Sequence, residues 1–458
     1  MEYSKSKGYT STEQYLSDLC EKTFLKLWVF PNVVKEDGQE VCDVLALFDD
    51  CVFLFFDRHN TKLEESIPHN MDEFIVNWKR WKKDAIDKQI RTLFGAEKYI
   101  RSGKKVFLDA KRKNELPIKI SSKTCRIFKI VVAHGAQTAC KEFSKENMNG
   151  SLAISYSEEN DDHTDIPFHI ILDKKNPIHI FDSFNLNILL SELDTITDFK
   201  QYLIEKENAI AKYNFISYVG EEDLLGYYLQ NIKEGSKHYI GTENLIFDAL
   251  IISEGIWNDF MCSSHYKEKK NADQISYLWD EIIQKTCLNT LNGSILGDAD
   301  FFNGPTAIHE MAKEPRFFRR ELAKRMHSSI INFPKNELSI LRNVSVFSSY
   351  NPSTFYVFLQ LKYLNRGDYE RDYRPKRRKL LEIACGVLKN KMEQATKIIG
   401  IAIDAPKYFD ENSEDFILLN CDKWTDEEFQ YYEKLNARFK FFETKNLKTL
   451  TSKVSEFL

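Results

Sequence analysis

The chain has 458 residues, enough for two to four domains with a full hydrophobic core. With 43% hydrophobic and 29% charged residues it has the composition of a folded protein rather than a disordered one. No segment reaches the ~18 uninterrupted apolar residues of a spanning helix. The net charge of −5 and a pI near 6.1 argue against a protein that coats nucleic acid wholesale, while leaving room for a local basic groove.

The nine cysteines are scattered, with no CxxC pair and no Cys/His spacing of a zinc site. Reduced thiols of this kind suit a cytoplasmic protein, and the first residues carry no apolar run of a signal peptide. A cytoplasmic location is therefore the expectation.

In chain order, STEQYLSDLCEKTFLKL (Ser11–Leu27) has helical periodicity, with Tyr15, Leu16, Leu19, Cys20, Phe24 and Leu27 on one face and Ser11 or Thr12 as N-cap. Glu21 lies at the edge of that stripe. WVFPNVV reads as a short strand broken by Pro31. Two apolar runs follow, VCDVLALF and CVFLFFD, separated by the tight turn Asp49-Asp50. They set Asp43 and Asp57 on neighbouring buried strands. Buried carboxylates require a partner, a wet cleft or a cation, so this pair is the leading site candidate.

The segment from Met71 to Gly103 reads as one long helix, densely basic through Lys79, Arg80, Lys82, Lys83, Lys88 and Arg91. The run KKVFLD, ending at Asp109, reads as the strand that closes this unit. From Arg126 onward the pattern is a small α+β module. It has the strand IFKIVVAHG, a hairpin-like pair PFHIILD and IHIFD, and helices after Asn187 and Glu221. His163, His169 and His179 read as structural histidines. The stretch 241–340 is mostly helical, and its basic run Arg316, Arg319, Arg320, Lys324 and Arg325 reads as a solvated face. From Leu341 an α/β unit follows, with strands FYVFLQLKYL, KIIGIAID and DFILLNC between helices.

The succession of helix with Glu21, strand, strand beginning at Asp43, strand ending Asp57-Arg58-His59, helix with Gln89, and strand resembles the PD-(D/E)XK nuclease superfamily. The resemblance implies an αβββαβ restriction-endonuclease-like core over residues 1–125. Further domains would cover 126–240 (α+β), 241–340 (helical) and 341–458 (α/β), giving an α/β and α+β multidomain chain. It implies Asp43 and Asp57 as the acids of the motif, Glu21 as the helix-borne acid and Gln89 as the glutamine of some subfamilies. The three acids, Glu21, Asp43 and Asp57, would hold Mg²⁺ or Mn²⁺, which acts as Lewis acid and lowers the pKa of bound water.

His59 departs from the motif, standing where the family has lysine. A neutral imidazole supplies no permanent cation, so Arg58, Lys62 or Lys88 would have to replace it. Lys79, Lys82, Lys83 and Arg91 would neutralise phosphates of a nucleic-acid partner, DNA ahead of RNA. The expected function is metal-dependent hydrolysis of phosphodiesters, with bacterial defence as an analogy of architecture. The alternative is a nuclease-like scaffold that binds nucleic acid or protein without cutting, and self-association is compatible with either. A third reading places a site near Asp404 or Asp415.

Overall fold

The structure is a computed structural model describing residues 6–63, 71–144, 147–158, 166–233, 237–242, 248–291, 304–409, 413–443 and 456. His163 lies outside the described residues. The chain divides into two units, Tyr3–Glu268 and Lys269–Glu456.

In the first unit, helix α1 (Ser11–Phe24) starts one residue earlier than expected, because the Thr10 hydroxyl accepts from the Glu13 N–H at 3.2 Å. Leu16, Leu19, Cys20 and Phe24 are buried, and Tyr15 is on the exposed side. Strands β1 (Val29–Val34), β2 (Glu40–Phe48) and β3 (Cys51–His59) form an antiparallel meander. Pro31 does not break β1, since β1 is the edge of the sheet and a missing N–H there costs no ladder bond. The two-residue turn uses Asp49 at φ +52°. The basic helix is two helices, α2 (Met71–Lys82) and α3 (Lys88–Arg101), joined by a π-turn at Lys83–Asp87.

The strand next to β3 is not KKVFLD. There, Phe107 makes only single bridges to Val34 and Glu115. The place is filled by β4 (Arg126–His134), parallel to β3, whose Ile127 to His134 are all buried. A fully buried parallel position demands such a continuous run, and KKVFLD is too short and too charged to supply it. One sheet thus crosses the expected boundary at residue 125.

After α4 (Gln137–Phe143) come β5 (Ala153–Ser157), β6 (His169–Asp173) and β7 (His179–Asp182). PFHIILD and IHIFD are not a hairpin. β7, buried at every residue, joins the first sheet parallel to β4, giving the order β1-β2-β3-β4-β7. β6, half-buried in alternation, pairs with β5 in a second sheet. The unit continues through α5 (Asn185–Glu192), α6 (Ile196–Lys212), β8 (Phe215–Val219), α7 (Glu221–Gln230), a small ribbon β9 (Ile232–Lys233) and β10 (Lys237–His238), β11 (Ala249–Ile252) and α8 (Ile256–Cys262). The second sheet has the order β11-β8-β5-β6.

Alternate residues of β3 face opposite sides of the first sheet. Phe53 and Phe55 pack on Phe24 of α1 and Phe199 of α6. Arg58 reaches Asp84 of the π-turn on the other side. Asp57 has the parity of Phe53 and Phe55, which places it on the α1 face.

Helix α9 (Ser264–Asp273) leads into the second unit, with α10 (Tyr277–Leu291), α11 (Gly304–Ala312) and α12 (Arg316–Ile331). Of the basic run on α12, Lys324 is exposed as expected, but the three arginines at its start are not solvated. Arg316 and Arg319 bind Asp280 at 2.6 and 2.7 Å, Arg320 contacts Asp273, and all three are buried. Carboxylates brought by other helices, with the Glu314 and Ala312 carbonyls that Arg319 reaches, make that burial tolerable.

The sheet of this unit is β12 (Ile340–Ser348), β13 (Thr354–Tyr363), β14 (Lys397–Asp404) and β15 (Glu414–Asn420), in that order. Helix α13 (Arg374–Lys391) connects the parallel pair β13 and β14, and α14 (Asp426–Phe439) packs on it. Gly386 is required there, because a Cβ would lie 2.3 Å from the Tyr432 ring. No helix among the described residues is long and apolar enough to cross a membrane.

Candidate functional site

The ladder between β2 and β3 runs from Phe48↔Cys51 to Val44↔Phe55 and stops. The Asp57 N–H donates instead to Asp43 Oδ2 at 2.6 Å, so the Asp43 carboxylate stands where a strand carbonyl would. Sequence reasoning placed Asp43 and Asp57 side by side, and the structure brings them together. Their carboxylates, however, have different company.

Asp43 sits among acids. Burial, then Glu40, Glu13 and Asp57, push its carboxyl up to about 8, against the single Asp57 N–H that lowers it. Asn32 Nδ2 ties Glu13 at 3.1 Å to Glu40 at 2.8 Å. Among the described residues Asp43 Oδ1, Glu13 Oε1 and Glu40 Oε2 accept no hydrogen bond, leaving three hard oxygen donors open. Among the described residues no three His, Cys, Asp or Glu groups are gathered into a ready ligand set.

Of the two acids on α1, Glu13 and not Glu21 is among the charges that act on Asp43. Glu21 pairs with Lys26 at 3.6 Å, and it lies eight residues, roughly 12 Å, along the helix from Glu13.

Asp57 is a hub. Its Oδ2 accepts from Thr12 Oγ1 at 2.5 Å, and its Oδ1 meets His134 Nε2 at 2.8 Å. His134 Nδ1 in turn meets Ser183 Oγ at 2.9 Å. Both oxygens of Asp57 are therefore engaged, in a side-chain chain that runs through His134. Sequence reasoning missed His134 and Ser183. The signal was there in retrospect: each ends a buried apolar run, IVVAH and IHIFDS, which is the pattern of parallel strands delivering side chains to one edge.

The remaining expected residues disperse. His59 is exposed, with its ring 6.1 Å from that of His134. Gln89 Nε2 turns back to the Asp84 carbonyl at 3.5 Å. Arg58 and Lys88 both pair with Asp84, at 3.2 and 2.7 Å.

Lys79, Lys82, Lys83 and Arg91, expected as phosphate contacts, do converge. With Asp87 they line one cleft of about 310 Å³ where the π-turn interrupts the helix. At i, i+3 and i+4, Lys79, Lys82 and Lys83 are neighbours on one helix face.

Asp404 and Asp415 are locked in a buried ion-pair network with Arg377, Arg374 and Arg378. No family model matches the chain, and neither the curated proteins nor the solved structures contain a match.

Proposed function

We propose that this chain acts on nucleic acid through a restriction-endonuclease-like N-terminal core, hydrolysing phosphodiesters with a divalent cation recruited by Asp43 and Glu13. The observation that carries the reading is the Asp43 carboxyl, raised to about 8 by burial and by three acidic neighbours. A buried acid held among acids is a charge deficit that a cation relieves. The open oxygens suit Mg²⁺ or Mn²⁺, which take oxygen ligands and keep several waters. When bound, such an ion supplies Lewis acidity and an activated water. The order α1, β1, β2, β3, α2–α3 and β4 supports the αβββαβ assignment. In the protein's own contribution, Asp43 and Glu13 bind the charge, and the cleft at Lys79, Lys82, Lys83 and Arg91 takes phosphates of the strand.

A second reading, nucleic-acid binding without hydrolysis, is favoured by the two committed oxygens of Asp57 and by the pairing of Arg58 and Lys88 elsewhere. Incubating the protein with single- and double-stranded DNA and RNA in Mg²⁺, Mn²⁺ or EDTA separates the two. Cleavage in metal alone supports hydrolysis; binding without cleavage supports the second reading.

The cleft has its own test in either case. Replacing Lys79, Lys82, Lys83 and Arg91 together by glutamine should weaken binding across all sequences. Each duplex phosphate contact contributes roughly −0.9 to the slope of log K against log salt, so losing up to four should flatten it by roughly 3 to 4. An unchanged slope in fluorescence anisotropy titrations from low to high salt would show that nucleic acid binds elsewhere.

A further inference from the structure

We infer that Ser183 is the nucleophile of a metal-independent ester-cleaving site, with His134 as its general base and Asp57 as the residue that positions His134. This goes beyond phosphodiester hydrolysis, uses no cation, and stands or falls separately from it.

The placement follows from strand register. β3, β4 and β7 are consecutive parallel strands, with His59 opposite His134 and Ala133 opposite Asp182. Residues directly opposite share a face, and alternate residues return to it. Asp57, His134 and Ser183, one step beyond β7, therefore project from one face at the same end of the sheet. Ligand-binding groups collect at this carboxyl edge of parallel strands.

The hydrogen bonds fix the roles. A carboxylate only accepts, so His134 Nε2, 2.8 Å from Asp57 Oδ1, carries the proton of the neutral ring. Nδ1 is then the lone pair, 2.9 Å from Ser183 Oγ, and the serine hydroxyl donates to it. Thr12 Oγ1 on Asp57 Oδ2, and the Trp81 Nε1 and Asn60 N–H donors on the His134 carbonyl, hold the assembly still. Asp57 and His134 are buried and Ser183 is exposed, so the base is sheltered and the nucleophile open to substrate. A hydroxyl that only tied down a loop would not need an oriented base behind it.

The step balances without a co-reactant. Ser183 Oγ attacks the carbonyl carbon of a carboxylic ester while its proton passes to His134 Nδ1. The ester C–O bond breaks, and the leaving alcohol takes that proton. Water then cleaves the acyl-serine by the same route and restores the hydroxyl. The amides of Phe184 and Asn185, next along the chain, are held by Asp182 Oδ1 at 2.9 and 3.0 Å, so they do not serve the developing oxyanion. Turnover is accordingly expected to be slow, and covalent trapping is the sensitive readout.

The full chain is treated with a fluorophosphonate–biotin probe in EDTA, and the modified peptide is read by mass spectrometry. The expected result is one adduct, on Ser183, with fluoride released. Ser183→Ala should abolish it while melting as wild type, since that side chain is exposed. His134→Gln, which keeps a hydrogen-bonding side chain of similar reach, should slow labelling about 100-fold, within the range of a lost general base. An unlabelled wild type, a label that survives Ser183→Ala, or an unchanged rate in His134→Gln would each overturn the assignment. Cleavage of nucleic acid in Mg²⁺ is unaffected by these outcomes and is scored separately.

Discussion

Asp43→Asn is expected to make the protein more stable at neutral and alkaline pH while removing its response to divalent cations. In the unfolded chain this carboxyl titrates near 3.8; in the folded chain it titrates at about 8, because burial and the charges of Glu40, Glu13 and Asp57 oppose ionisation. Below about pH 4 both states hold the proton and Asp43 contributes nothing to the pH dependence. As pH rises the unfolded chain ionises first, so folded-state stability is lost progressively across pH 4 to 8 and is level above that. Each pH unit in that window is worth ~1.4 kcal/mol, which sets a ceiling of about 6 kcal/mol that water entry and relaxation reduce to a few. Asparagine keeps the acceptor for the Asp57 N–H and sheds the charge. Thermal melts from pH 4 to 9 should therefore fall less steeply for the variant. Mg²⁺ or Mn²⁺ at pH 8 should raise the melting temperature of the wild type alone. Any metal-dependent cleavage should drop by orders of magnitude in the variant. Parallel pH curves for the two proteins would mean that Asp43 does not titrate in this window, and the cation reading would lose its main support.

What the sequence made legible was what is local. The meander of β2 and β3 follows from two unbroken apolar runs and a two-residue acidic turn, and the pairing of Asp43 with Asp57 follows from the meander. The helices α1, α13 and α14 follow from their periodicity. What stayed hidden depends on distant partners. β4 takes its place beside β3 across an irregular stretch from Ser102 to Cys125 that no periodicity bridges. His134 and Ser183 meet Asp57 from 77 residues away and, through the histidine, from another 49. Glu13 and Glu21 both lie on α1, and only the angle at which that helix crosses the sheet decides which one reaches Asp43. The charges of Arg316, Arg319 and Arg320 read as solvent-facing for the same reason, since Asp280 and Asp273 come from a different stretch of chain. Sequence arguments thus succeeded where a residue's partner lies within one or two elements and failed where burial is licensed from afar.

The same rule makes Asp415→Asn the largest stability change expected in the unit Lys269–Glu456. Asp415 is fully buried and receives Arg374 at 2.9 Å, Arg377 at 2.7 Å and Arg378 at 2.8 Å, while Arg377 also meets Asp404 at 2.9 Å. Tyr369 at 2.5 Å, Tyr373 and Arg366 complete the surroundings of Asp404. Removing the Asp415 charge leaves a buried and two part-buried guanidiniums facing too little negative charge, which costs about 3 to 5 kcal/mol. Arg377→Lys should cost less, because an ammonium keeps the charge but cannot fork between two carboxylates. The pH dependence fixes the cause. Burial pushes the Asp415 carboxyl up, yet Arg377, Arg374 and Arg378 more than offset this and hold it below the ordinary range. Its contribution is therefore complete above about pH 4 and is lost as pH falls through the depressed folded value. Hydrogen exchange of the β13, β14 and β15 amides reports this unit alone, which matters in a chain whose two units need not unfold together. Wild type and Asp415→Asn should differ most near neutral pH and converge in acid. A variant whose amides exchange at the wild-type rate at pH 7 would show that the guanidiniums are held by Asp404 and Glu370 without Asp415.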